Sequence, residues 1–158
     1  ETTGLNSSSD EIIELAAIRI INHKIADQLE ILVKTEKGVP KVITELTGIT
    51  EEILEEKGTV LSSAMERFCE FIGQSTIVGH NIAFDRSFLK EACRKTNRMN
   101  LKNSAKDTLD LARRRIDDID DYKLHALADY FQIKVEEEHR ALSDCITTFQ
   151  VFEKLNEI

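Results

Sequence analysis

Three short stretches of this chain hold side chains suited to chemistry: ETTGL at Glu1–Leu5, GHNIAFDRSFL at Gly79–Leu89 and HRALSD at His139–Asp144. Between them they offer the carboxylates Glu1, Asp85 and Asp144, and one imidazole, His139. Taken singly, each has an ordinary explanation. Asn81 is a natural N-cap, and Asp85 then falls in the first or second turn of a helix, where the helix dipole favours an acid. His139 lies beside glutamates, as an exposed histidine would, and Asp144 is another first-turn acid. Taken together, carboxylates with no dedicated arginine partner are costly to gather unless cations neutralise them. Oxygen ligands of that kind suit Mg²⁺ or Mn²⁺. His139 and Asp144 can address one place only if His139 precedes a helix and Asp144 sits in its first turns, because residues so spaced on one helix are rotated by roughly 140°.

Those side chains need elements to carry them. EIIELAAIRII, from Glu11 to Ile21, is rich in isoleucine and ambiguous by periodicity alone. A turn at Asn22-His23 and a strand over Leu29–Val33 make a hairpin the expected reading. Thr44–Lys57 reads as one helix stopped by Gly58. Leu61–Ile72 reads as a helix with Leu61, Met65, Phe68 and Ile72 on one face. Ser75–Gly79 is a short apolar strand, and Phe84, Phe88, Leu89 and Ala92 mark the helix after it. Lys106–Leu111 holds a short strand passing into a helix that carries Arg113 to Arg115, a run read as a solvated face. Leu124–Phe131 is helical. The last helix starts near Ala141, with Leu142, Cys145, Ile146, Phe149 and Phe152 facing inward. A hairpin followed by alternating strands and helices predicts a mixed sheet flanked by helices, with sites at the carboxyl ends of its strands. ETTGL reads as the carboxyl end of such a strand, and the body of that strand is not in the chain.

Bulk properties narrow the field. The 158 residues suffice for one domain with a core, and 41% hydrophobic with 32% charged residues is the make-up of a soluble globular domain. No apolar run is long enough for a bilayer and no signal peptide is visible, so the expectation is a cytoplasmic protein with no membrane partner. The net charge of −8 argues against a general nucleic-acid coat. It leaves room for an enzyme that holds a few terminal nucleotides through metal ions. Cys69, Cys93 and Cys145 form no CxxC pair, and read as small thiols in a reducing compartment.

In order and spacing, the three stretches resemble the DEDDh 3′–5′ exonucleases, and within them the proofreading domains of bacterial DNA polymerase III. That family's motifs are Asp-x-Glu before a TTGL-like turn, Asn-x-x-Phe-Asp (here Asn81, Phe84 and Asp85) and His-x4-Asp (here His139 and Asp144). LTGIT (Leu46–Thr50) and DTLDLAR (Asp107–Arg113) are also familiar, so the resemblance covers nearly the whole chain. Glu1 matches the glutamate of the first motif, and the aspartate two residues ahead of it has no counterpart here. The resemblance implies an α/β, ribonuclease H-like fold: a mixed five-stranded sheet flanked by helices, with most of its first, central strand missing. It implies a single exonuclease domain over residues 1–158, N-terminally truncated and part of a longer protein. The implied activity is metal-dependent 3′–5′ hydrolysis of phosphodiester bonds by a two-metal mechanism, on DNA. Glu1, Asp85 and Asp144 would hold two Mg²⁺ or Mn²⁺ ions, and His139 would be the general base. Thr2, Thr3, Gly4, Leu5, Asn81 and Phe84 would line the substrate: a nucleic-acid 3′ end, single-stranded or at a frayed or overhanging duplex. Leu5 would wedge against the terminal base or pack in the core. Asp107 is read as a structural acid that satisfies nearby backbone, and Cys145 as packing. The implied partner is a polymerase or another fused nucleic-acid-binding domain. A different reading is a catalytically incomplete module that binds 3′ ends or a protein, in a setting such as a CRISPR spacer-integration protein. A third is a hydrolase of another phosphodiester, such as a short RNA or a cyclic nucleotide.

Overall fold

The computed structural model describes residues 1–137 and 139–158. Thr2 bridges Ile12 in antiparallel fashion, with Glu1 and Thr3 bonded to the backbone of residues 11 to 14. The chain then enters β1 (Glu14–Ile21), turns through Asn22 and His23, and returns as β2 (Lys24–Leu32). Both turn residues have positive φ, 51° and 60°, the geometry whose twist matches a two-residue hairpin. The expected hairpin is therefore present, its first strand starting three residues after Glu11 and its second running over Lys24–Leu32 rather than Leu29–Val33.

The single helix expected over Thr44–Lys57 is instead two, α1 (Lys41–Thr47) and α2 (Glu51–Lys57). Gly48 breaks it: it takes a left-handed φ of 73° and bonds back to the Thr44 carbonyl, and Thr50 then caps α2 by accepting from Ile53 N–H at 3.2 Å. The helix α3 (Leu61–Ile72) has the expected bounds, burying Met65, Phe68 and Ile72. The elements β3 (Ile77–Gly79), α4 (Ile82–Lys95), β4 (Ala105–Asp107), α5 (Thr108–Arg115), α6 (Leu124–Tyr130) and α7 (Ala141–Glu157) follow.

The sheet differs from a continuous five strands. Among the described residues it consists of two two-stranded pieces, β1–β2 antiparallel and β3–β4 parallel. ETTGL supplies only the bridge at Thr2, so β1 and β3 line one cleft without bonding to each other. On β1, Leu15 and Ala17 join the cluster formed with α3 and α4, whereas Glu14, on the other face, meets the start of α7. The helix α7 also packs on α5 and α6 around Val151 and Leu155. Its buried face is Thr147, Thr148, Val151 and Leu155. The inward stripe expected at Cys145, Phe149 and Phe152 turns to the cleft instead and is only half-buried.

Candidate active site

The cleft has a volume of about 960 Å³. Glu1, Thr2, Asn81, Phe84, Asp85, His139 and Asp144 all line it. Thr3, Gly4 and Leu5 are not in its walls. Thr3 is buried, and its hydroxyl accepts from Glu11 N–H at 2.9 Å. Gly4 lacks a Cβ where the Asp10 carboxylate sits, 2.4 Å from the position a Cβ would take. That carboxylate in turn accepts from Asn6 N–H at 2.8 Å, so the glycine serves the loop's own closure. Leu5 is 86% exposed on this loop, which removes the core-packing reading.

Asp85 lies in the first turn of α4. Its carboxylate is open to water in the cleft yet walled by protein. Burial pushes its pKa up to about 6, Asp107 and Glu1 push the same way, and the terminal ammonium opposes them. Asn81 holds the N-cap position of α4 in a left-handed conformation, but its side chain caps nothing, contrary to the sequence reading. Asp107 does that work. Its Oδ1 accepts from Asn81 N–H at 2.9 Å and Leu109 N–H at 2.9 Å, and its Oδ2 from Ile82 N–H at 3.0 Å. One carboxylate thus starts α4 and α5 together, the structural role expected of it.

His139 precedes α7 and Asp144 lies in its first turn, the arrangement the spacing requires. His139 has a φ of 57°, unusual for a residue with a side chain. The next residue explains how that turn is held. Arg140 donates to Glu14, with Nη2 at 2.8 Å and Nε at 3.2 Å from Oε1, while Ala141 N–H donates to Oε2 at 2.9 Å. Glu14 has a side-chain exposure of 0%. Burial alone would raise its pKa; the hydrogen bonds from Arg140 and Ala141 and the Arg140 charge outweigh it and lower the pKa. Arg140 also reaches Glu30 at 3.3 Å.

Sequence reasoning missed Glu14, Arg140 and His80. His80 Nδ1 is 2.9 Å from Thr108 Oγ1, and burial, assisted by Arg113, holds its pKa below the usual histidine range against the pull of Asp107. The adjoining Gly79 and Asn81 were the available signal. Arg113, read as a solvated face, lines the cleft. Cys145 Sγ donates to the Ala16 carbonyl at 3.5 Å, and burial together with the Asp85 and Asp144 charges pushes its thiol up to about 12. The Cys145 thiol therefore feels two of the three carboxylates. Among the described residues no three His, Cys, Asp or Glu side chains stand close enough to enclose a metal ion. The donor chemistry nonetheless suits a hard divalent cation, which would relieve the crowded Asp85.

A mixed α/β domain with acids opening helices at the mouth of a cleft is the plan of a ribonuclease H-like nuclease. The profile of the Exonuclease family matches residues 1–152, and the chain belongs to that family. It is 38% identical over 162 residues to a DNA polymerase III PolC-type protein of Caldanaerobacter subterraneus subsp. tengcongensis, covering 100% of this chain and 11% of that protein. It is 35% identical over 156 residues to its counterpart in Bacillus subtilis, covering 98% of this chain and again 11% of the relative. The chain thus spans about a tenth of the length of these curated relatives. Among solved structures, Exonuclease X in complex with 5′ overhanging duplex DNA matches with a TM-score of 0.78 at 25% identity, over 99% of this chain and 87% of that one. Exonuclease I of E. coli in complex with a dT13 oligonucleotide matches with a TM-score of 0.89 at 20% identity, over 99% of this chain and 39% of that one. The latter likeness speaks to the fold.

Proposed function

We propose that this exonuclease domain removes nucleotides from the 3′ end of DNA and proofreads for a polymerase in the same polypeptide. The observation that carries it is the meeting of Glu1, Asp85, Asp144 and His139 at one cleft in a chain of the exonuclease family. The PolC-type relatives favour the polymerase setting over CRISPR spacer integration, and with it the cytoplasm. The DNA-bound Exonuclease X favours DNA as the substrate.

Glu1, Asp85 and Asp144 are the residues that would hold two Mg²⁺ or Mn²⁺ ions. Such ions neutralise phosphodiester charge and make water a better nucleophile at neutral pH. His139 would take the proton of the attacking water at an imidazole nitrogen, the general-base role for which a histidine side chain is most often used. Arg140, clamped on Glu14, fixes where His139 and Asp144 stand. Thr2, Asn81 and Phe84 border the space for the terminal nucleotide, and Leu5, exposed on the adjoining loop, would meet its base. Thr3 and Gly4 act through the loop that presents Leu5. A second reading is a module that binds 3′ ends without cutting.

The test is a 5′-labelled single strand incubated with Mg²⁺ or Mn²⁺ and, separately, with EDTA. Stepwise shortening that needs the metal is expected. His139→Ala should lower kcat about 10²- to 10⁴-fold while DNA affinity changes little. Equal losses in both would remove His139 from the base role. A folded chain that leaves the strand intact, together with an equally inert longer protein where the gene encodes residues ahead of Glu1, would leave only the binding module.

A further inference from the structure

A second, shallower pocket of about 620 Å³ lies on the other side of α4 from the cleft. Phe84, Asp85, Phe88 and Leu89 face the cleft, whereas Lys90 and Arg94 face this pocket with Arg98, opposite Ser7 and Ser8. Local sequence builds the site. Lys90 and Arg94 are one turn apart and share a helix face. The helix then closes in a Schellman turn. Asn97, at a φ of 54°, donates to the Arg94 carbonyl at 3.3 Å, and Arg98 N–H donates to the Cys93 carbonyl at 2.8 Å. That turn folds the chain back and leaves Arg98 in the same pocket as Arg94.

These three cations stand together in a chain of net charge −8. Glu91 is the one carboxylate in the pocket's lining, and Arg94 already engages it at 2.6 and 2.9 Å. Lys90 makes no ion pair among the described residues. Arg98 Nη2 donates to the Ser62 carbonyl at 3.5 Å, and its Nε, shut off from solvent, has no hydrogen-bond acceptor among the described residues. The pocket therefore holds more positive charge than its one carboxylate balances, which suits an oxyanion. Its position suggests which one. The loop at Leu5 runs between Thr2, at the cleft, and Ser7, at the pocket. The loop thus links the wall of the cleft to the wall of the pocket.

We propose that the Lys90–Arg94–Arg98 pocket holds backbone phosphates of the second strand of a duplex whose 3′-ended strand enters the cleft, an inference that rests on the exonuclease reading above. The experiment compares the unsubstituted chain with a Lys90→Gln/Arg94→Gln double variant, both sites exposed and checked by thermal melting. Fluorescein-labelled hairpin duplex and matching single strand are titrated by anisotropy over a range of NaCl, with Ca²⁺ in place of Mg²⁺. The variant should bind the duplex about tenfold more weakly at low salt. Its plot of log affinity against log salt should be shallower by about 2, with single-strand binding unchanged. Duplex binding that is unaltered, or a loss equal for both ligands, overturns the second-strand assignment and leaves the exonuclease reading standing. An unsubstituted chain that binds neither oligonucleotide sinks both.

Discussion

With no divalent ion to face it, an ionised Asp85 works against the fold. Its pKa rises from 3.8 to about 6 on folding, so the folded state prefers the protonated acid. The stabilisation this brings is full below the unfolded value and is lost as pH rises through about 6. Asp85→Asn is therefore expected to melt at a higher temperature than the parent in EDTA at neutral pH. The gain should shrink as pH falls below about 6, and hydrolysis should be abolished. A pH series of melting curves checks this, and an asparagine variant less stable at every pH would refute it. Glu14 is the opposite case, a buried acid kept ionised by a cation. Its sequence neighbourhood, EIIEL, does not distinguish it from the exposed-strand acid it resembles. The distinction lies in Arg140, 126 residues away, which local periodicity cannot see. Asp85 and Asp144 were legible because each opens a helix beside a recognisable apolar pattern, whereas a long-range partner leaves no local mark.

Among the elements, the shared start of α4 and α5 has the clearest consequence. Asp107 serves three backbone N–H groups on two helices, so Asp107→Ala should cost about 2 kcal/mol, toward the upper end for a single cap. Urea denaturation measures that cost. Activity should fall with it, because α4 carries Asp85. Loss of stability near zero would show that water replaces the carboxylate adequately. The bounds of α3 were readable because its apolar spacing is unbroken, and Val60 and Gly73 close it off. The split between α1 and α2 was also written in the chain, as Gly48 and Thr50, but apolar positions running on at Leu46, Ile49 and Ile53 hid it. For α7 the period was right and the direction was not. Two apolar stripes compete there, and only the presence of a cleft decides which one is covered.

At the scale of the molecule, net charge −8 sets the terms of contact with an anionic polymer. On the exonuclease reading, a chain of that charge would have little to keep DNA in reach after each cut. In the presence of Mg²⁺ and a heparin trap, most strands should lose only one or a few nucleotides per encounter. Long products of a single encounter would contradict this. The fold class was legible as a whole because the order of elements was, whereas the division of the sheet into pairs depends on which backbone edges meet. The clamp between Glu14 and Arg140 has a temporal side as well. A chain leaving the ribosome exposes its hairpin early and completes that contact only when α7 has been made and has docked back. Forms without α7 would therefore have a hairpin without the candidate site, and competence would arrive all at once, when α7 docks.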